Sequence, residues 1–249
     1  MKSDFQKKGF QLVRGFLDVD DVSRLRDVIE RFHQQWLKAN EAFYNERAVN
    51  SSSLTHSEFL SRSDKLELFS VIASNKLKQV ATNIFPQPPI FMNTQLFFNP
   101  ANQQQKNYWH RDPQYHLSIE EQKLALFGPE VVHFRIALRD EPGIELIAGS
   151  HKKWDTNEQL DVRLAQHGKS VSDDLIGSTT IPLKSGDLLA FSANMIHRGL
   201  YGLDRFAFDI LLCERAAQLE GFINPELFPD KQLKNVKTSK LRISYSHFK

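Results

Sequence analysis

The sequence has a single cysteine, Cys213, so the chain cannot close an internal disulfide, and no Cys-x-x-Cys pair is present for zinc or thiol redox work. No apolar run approaches the roughly eighteen residues of a membrane span. The opening stretch, MKSDFQKKGFQLVRGF, lacks the apolar core of a signal peptide. The expectation is a soluble, cytoplasmic protein with no membrane partner. Neither charge sign is in excess: the net charge is +2, which gives no argument for a polyanion, and no nucleic acid is expected. There is no Gly-x-Gly-x-x-Gly phosphate loop, no internal repeat and no low-complexity linker, and nothing speaks to oligomeric state. What remains is ordinary globular composition, 41% hydrophobic over 249 residues, enough for one large domain with a real core. Nine histidines are the obvious source of metal ligands.

Hydrophobic periodicity divides the chain. In LDVDDVSRLRDVIERFHQQWL, Val22, Leu25, Val28, Ile29, Phe32 and Trp36 recur at helical spacing, with Asp18 as the N-cap and Asp20 and Asp21 favourable in the first turn. A second amphipathic stretch, DKLELFSVIASNKLKQVATNIF, predicts helix broken near Asn75. The polar YNERAVNSSSLTHSEF between them reads as loop. From about residue 90 the period becomes two: IFMNTQLFF, VVHFRIAL, GDLLAF and RFAFDILL read as strands between Gly, Pro, Asp and Asn punctuation. Helices first and strands later predict an α+β chain, mainly β, with an antiparallel core. We divide one domain, 1–249, into a helical brace (about 1–88), a β core (about 89–215) and a C-terminal extension (about 216–249). Residues 152–174 form a long polar segment of the kind that is usually functional or mobile. The basic C-terminal tail reads as a solvated surface, with docking of an anionic group as the alternative.

Chemistry concentrates in NYWHRDPQYH, residues 107–116. His110-Arg111-Asp112 could be the His-Arg-Asp of a kinase catalytic loop or a His-x-Asp metal pair. A kinase needs Asn five residues beyond the aspartate, where this chain has Leu117, and it needs a Gly-rich loop and an Asp-Phe-Gly, both missing. On extended backbone, residues i and i+2 face the same way, so His110 and Asp112 project together and Arg111 points opposite. One imidazole and one carboxylate make two of the three ligands of a facial triad, and His197, after the strand-like LKSGDLLAF, is the distant third candidate. Arg205, at the head of the last strand, could hold a carboxylate in bidentate fashion.

These pieces together resemble the phytanoyl-CoA dioxygenase-like branch of the Fe(II)/2-oxoglutarate-dependent dioxygenases. FQKKGFQLVRGFLDVDDVSRLRDVIERF is similar to the family's opening strand and acid-capped helix, and YWHRD to its Trp-His-x-Asp. RIALRDEPGIELIAGSHKKW resembles its strand, turn and Gly-Ser-His segment, and LKSGDLLAF followed by MIHRG its Gly-Asp strand and distal histidine. The resemblance spans roughly residues 5–215. It implies a double-stranded β-helix (a cupin-like jelly roll) with N-terminal helices packed on it. It also implies Fe(II) held by His110, Asp112 and His197, with 2-oxoglutarate and O2 as cosubstrates and succinate and CO2 as products. Hydroxylation of an unactivated C–H of a small-molecule metabolite is the expected reaction. Related halogenases replace the carboxylate ligand with a small residue, and Asp112 argues against that chemistry; desaturation and cyclisation stay open.

Arg205 is the candidate for the distal carboxylate of 2-oxoglutarate, with Arg198 as competitor. Arg205 lies closer to the distal histidine than is usual in the family, and Gly199 stands where a hydroxyl residue is common. Asn93 and Gln95 share a strand face and could reach the cosubstrate. His133 and Arg135 share a polar face that points either to solvent or into the cavity; in the second case Arg135 could bind an anionic substrate. Trp109 reads as core or cavity wall, and His151 as a rim or structural residue. Two alternatives stay open: a non-catalytic jelly-roll binding or sensor protein, and a cupin-type metal-dependent hydrolase or isomerase.

Overall fold

The computed structural model describes residues 4–229. The basic tail, residues 230–249, and with it most of the expected C-terminal extension, lies outside the described residues. Among those described, the order is α1 (Asp4–Lys8), β1 (Phe10–Val13), α2 (Val19–Ala39), α3 (Glu41–Glu46), β2 (Asn50–Ser52), α4 (Arg62–Ile72), α5 (Asn75–Ile84) and β3 (Ile90–Phe98). There follow α6 (Ile119–Ala125), β4 (Val131–Ala137), β5 (Glu141–Ile147), α7 (Asn157–Arg163), β6 (Ser178–Leu183), β7 (Leu188–Ser192), β8 (His197–Gly199) and β9 (Phe206–Cys213). The strands pair antiparallel into two sheets, one ordered β1-β7-β4-β9-β3-β2 and the other β6-β5-β8. This is the jelly-roll architecture, mainly β with helices on one side.

Local chemistry explains the helix ends. The Asp18 carboxylate accepts from the Asp21 N–H at the start of α2. Ser61 and Asp64 cap each other at the start of α4, and the break before Asn75 is a new N-cap, Ser74, accepting from Leu77 N. Helices α2, α4 and α5 pack on the outer face of the large sheet. Leu25, Ile29 and Phe32 of α2 and Leu68 of α4 form one cluster with Val132, Phe134 and Ile136 of β4 and Phe208 and Ile210 of β9. Each such fully buried side chain contributes about 1.5–3 kcal/mol. With a side-chain period of two, the alternate residues of the same strands must face the space between the sheets. That inner face carries Asn93, Gln95, His133, Arg135 and Asp209, all in register: Gln95 opposes Asp209, which opposes Arg135.

The segment expected to be a polar loop contributes β2, whose backbone pairs with β3 although its side chains are polar; the backbone, not the side chains, makes that strand. β1 pairs with β7 at the far edge, so the N-terminal brace supplies edge strands as well as helices.

His33 of α2 sits in the outer aromatic cluster, its ring centroid 4.5 Å from that of Phe98 and 5.5 Å from Phe206. Burial, reinforced by Arg139, lowers its pKa from 6.5 to about 4. The unfolded chain therefore takes up this proton first, so stability falls as pH drops from 6.5 to about 4 and this contribution is flat below. His33→Phe is expected to flatten that part of the acid limb in urea titrations across pH.

Candidate metal centre and active-site cavity

His110 and His197 are paired by backbone. His110 N donates to His197 O, and His197 N to His110 O, both at 2.9 Å. A hydrogen-bonded antiparallel pair sets both Cβ atoms on one face, about 5.5 Å apart at Cα, and the two rings lie 4.2 Å apart. Asp112 N is bonded to Ala193 O at 3.1 Å, which fixes the carboxylate beside them. Asp112 Oδ1 is 3.4 Å from His110 Nε2 and 3.8 Å from His197 Nε2. His110 Nδ1 lies 3.1 Å from Tyr108 O, and His197 Nδ1 3.1 Å from Met195 O. Each Nδ1–H donates to a carbonyl two residues back, which leaves both Nε2 lone pairs free and turned toward one carboxylate oxygen. One ligand atom from each of the three residues lies within 4.8 Å of the others, a group able to hold a metal ion. Burial, with His110 beside it, depresses the His197 pKa to about 3, so the ring is neutral, as a metal ligand must be.

Behind the triad runs a buried chain of alternating charge. His133 Nε2 meets Asp112 Oδ2 at 2.6 Å and His133 Nδ1 meets Asp209 Oδ2 at 3.1 Å. Arg135 donates to Asp209 from Nε at 2.8 Å and from Nη2 at 3.2 Å. Burial opposes the charge on His133, but Asp112 and Asp209 outweigh it and raise the ring to about 9. Burial likewise opposes ionisation of Asp112, and the His133 cation holds the carboxyl well below its usual range. Phe191 stacks on His133 at 4.7 Å and meets His197 edge-on at 5.0 Å, locking both rings.

Arg111 projects away from the triad and is buried. Its guanidinium binds Asp155 at 2.7–2.8 Å and the carbonyls of Ser150, Lys153 and Asn194. The other Asp155 oxygen takes Arg163. The polar segment 152–174 is thus ordered, built around one buried carboxylate, and it braces the back of the metal strand: Val171 O and Asp173 O accept from Trp109. Removing one partner of a buried pair strands the other's charge, so Arg111→Met is expected to cost about 3–5 kcal/mol in chemical denaturation.

The triad opens into a cavity of about 800 Å³. Arg205 lines it, buried, with Nε and Nη1 lacking any partner. Its guanidinium lies 5.4 Å from the Phe97 and Tyr201 ring centroids and directly against Gly199, where a Cβ would come within 2.4 Å of Nη2. Burial, together with Arg135, lowers its pKa to about 10, so it stays cationic at neutral pH. Arg198 is different: it binds Glu145, Asp174 and Ser172 O and lies over Trp109. Gln95 and Asn93 both line the cavity; Gln95 Oε1 is buried without a partner, and Asn93 Oδ1 accepts from the backbone of Ser53 and Thr94.

The structure decides between the alternatives that the sequence leaves open for four residues. Arg135 lines the cavity; Asp209 engages its Nε and Nη2 and so opposes its charge, while Nη1 has no partner. His133 has both nitrogens committed to carboxylates and is not a substrate contact. Trp109 is core: it is fully buried among Val162, Leu175 and Ile196 and lies outside the cavity. His151 is also buried away from the cavity, beneath Gly9 and 6.3 Å from the Phe5 ring. The bridging role of Asp209 and the anchoring role of Asp155 were missed, because each depends on partners far away in sequence.

The sequence matches the phytanoyl-CoA dioxygenase (PhyH) family over residues 5–200. No curated protein matches it by sequence. Among solved structures, HygX from Streptomyces hygroscopicus, with iron bound, is similar at TM-score 0.62 and 15% identity, covering 87% of this chain and 91% of that one. EctD from S. alaskensis, with 2-oxoglutarate and 5-hydroxyectoine, is similar at TM-score 0.57 and 14% identity, covering 85% and 74%. The non-heme alpha ketoglutarate dependent carbocyclase SnoK from nogalamycin biosynthesis gives TM-score 0.57 and 13% identity, covering 92% of each chain. At these identities the likeness is one of fold.

Proposed function

The chain belongs to the phytanoyl-CoA dioxygenase family, and from that premise we propose that it hydroxylates an unactivated C–H bond of a small molecule, using Fe(II), 2-oxoglutarate and O2. Iron and 2-oxoglutarate are the cofactors of this class of oxygenase. The observation that carries the reading is the convergence of His110, Asp112 and His197 beside a buried, unpartnered Arg205 in one cavity.

The donor set fits the metal. Two imidazoles and one carboxylate, all from one side, leave open positions, the arrangement of non-haem Fe(II) oxygenases. The iron and its cosubstrate supply the oxidising power, with 2-oxoglutarate converted to succinate and CO2. The protein's own residues do the rest. His110, Asp112 and His197 would hold the ion. The Tyr108 and Met195 carbonyls fix the histidine tautomers, and His133 holds the second oxygen of Asp112 so that one oxygen faces the ion. Arg205 would take the distal carboxylate of 2-oxoglutarate, with Gln95 and Asn93 beside it. Asp112 keeps the carboxylate position filled, which favours hydroxylation over halogen transfer; the SnoK fold likeness keeps cyclisation as the second reading.

Stripping the protein of metal and restoring Fe(II) is expected to switch on conversion of 2-oxoglutarate to succinate, whereas Zn(II) is not. A protein that binds Fe(II) but forms no succinate would be a binding or sensor protein. Because partners that orient a metal ligand are worth roughly 10–100-fold in metal affinity, His133→Ala is expected to weaken Co(II) binding by that amount in calorimetric titration.

A further inference from the structure

We propose that the substrate of this site is an uncharged molecule with an apolar body, a claim that rests on the oxygenase reading above because it assigns Arg205 to 2-oxoglutarate. The argument is an accounting of charge around the cavity. Its volume of about 800 Å³ is at the upper end of the roughly 300–1,000 Å³ of drug-sized ligand pockets. A small diacid beside the metal leaves room for a second molecule.

At the deep end the cations face acids: the buried Glu141, its oxygens without a hydrogen-bond partner, interacts electrostatically with both Arg135 and Arg205. Arg135 is bound by Asp209, and His133 lies between Asp112 and Asp209. Arg205 is reserved for the cosubstrate. At the mouth, the Glu121 carboxylate accepts from both the N–H and the hydroxyl of Ser118, and His116 lies against the Phe222 ring at 5.8 Å. Among the described lining residues, Arg205 apart, each deep cation already faces a carboxylate, and Glu121, the outer carboxylate among them, would repel a substrate anion. Placing a charge there without a partner costs several kcal/mol in general.

The outer wall points the same way. Met92, Val131 and Leu211 come from adjoining ends of β3, β4 and β9, Leu124 from α6, and Leu219 and Phe222 from the helical turn Ala217–Phe222. Leu219 packs on the Met92 cluster, so the turn closes one side of the chamber. Leu124 is 71% and Phe222 48% exposed, leaving apolar surface at the mouth for an apolar ligand to cover. The phenols of Tyr115 and Tyr201 offer neutral hydrogen-bonding groups nearer the metal site.

The test is anaerobic calorimetric titration of the Fe(II)- and 2-oxoglutarate-loaded protein with matched probes: naphthylmethanol, naphthoate and naphthylmethylamine, and octanol, octanoate and octylamine. The neutral member of at least one set is expected to bind roughly ten-fold or more tightly than its charged partners, and to speed succinate formation once air is admitted. A carboxylate or amine that binds as well as the alcohol overturns the proposal, as does absence of binding by both alcohols. Phe222→Asp is expected to weaken alcohol binding by roughly ten-fold or more and leave 2-oxoglutarate affinity unchanged; unaltered alcohol binding would also overturn it. Absence of succinate in every sample would instead contradict the oxygenase reading, and the equilibrium comparison of alcohol with carboxylate distinguishes the two failures.

Discussion

Asp112→Ala is expected to abolish Fe(II)-dependent formation of succinate from 2-oxoglutarate. The residue does two jobs. One oxygen lies 3.4 and 3.8 Å from the free Nε2 atoms of His110 and His197, completing the donor set. The other takes the His133 ring at 2.6 Å. Alanine removes the only carboxylate of the triad and leaves the buried His133 ring without its Asp112 partner. Partners behind a ligand are worth roughly 10–100-fold in metal affinity, so loss of the ligand itself should exceed that range. Calorimetric titration with Co(II) measures the binding loss, and succinate assay the turnover. Far-UV circular dichroism should stay unchanged, since the backbone bonds that place residue 112 and the His110–His197 pair do not involve the side chain.

Arg205→Leu carries the second large effect: the KM for 2-oxoglutarate is expected to rise by roughly 10²-fold or more, since losing one partner of a buried charge pair costs about 2–5 kcal/mol. The guanidinium is buried with Nε and Nη1 unpartnered, a costly state unless a ligand completes it. Gly199→Ser should act in the same direction with Arg205 still present. A Cβ at 199 meets Arg205 Nη2 at 2.4 Å, so the side chain must be displaced. Arg198→Leu is the contrast. Arg198 is spent on Glu145, Asp174 and Ser172 O, so its loss should lower thermal stability and leave the KM for 2-oxoglutarate unchanged. A rise in KM for Arg198→Leu and none for Arg205→Leu would reverse the assignment.

Local patterns carried far in this sequence. Helix α2 with its Asp18 cap, the break before Asn75, and strands β3, β4, β7 and β9 are all visible as periodicity and punctuation. Their alternation even separates the polar inner face from the apolar outer one. Strands β5 and β6 are harder to read: Pro142 and Gly143 interrupt β5, and β6 is exposed and polar. Gly143 is needed there, at φ +83°, because a Cβ would run into the Ile181 carbonyl. Helices α6 and α7 are short, yet each begins with a readable reciprocal cap, Ser118 with Glu121 and Thr156 with Gln159. The cavity was less legible than the strands. That Arg135 shares a polar face with His133 follows from alternation, but that this face lines the cavity and meets Asp209 depends on how the strands pair. The same holds for Asp155, which joins Arg111 to Arg163 and converts a loop-like segment into the back wall of the site.

The most direct measurement of the central claim is simultaneous recording of O2 uptake and succinate formation by the Fe(II)-loaded protein supplied with 2-oxoglutarate. The account predicts equimolar O2 consumption and succinate, both lost in Asp112→Ala and both shifted to high 2-oxoglutarate concentration in Arg205→Leu. Tight Fe(II) binding with neither O2 uptake nor succinate, or succinate formation undiminished in Asp112→Ala, would contradict it.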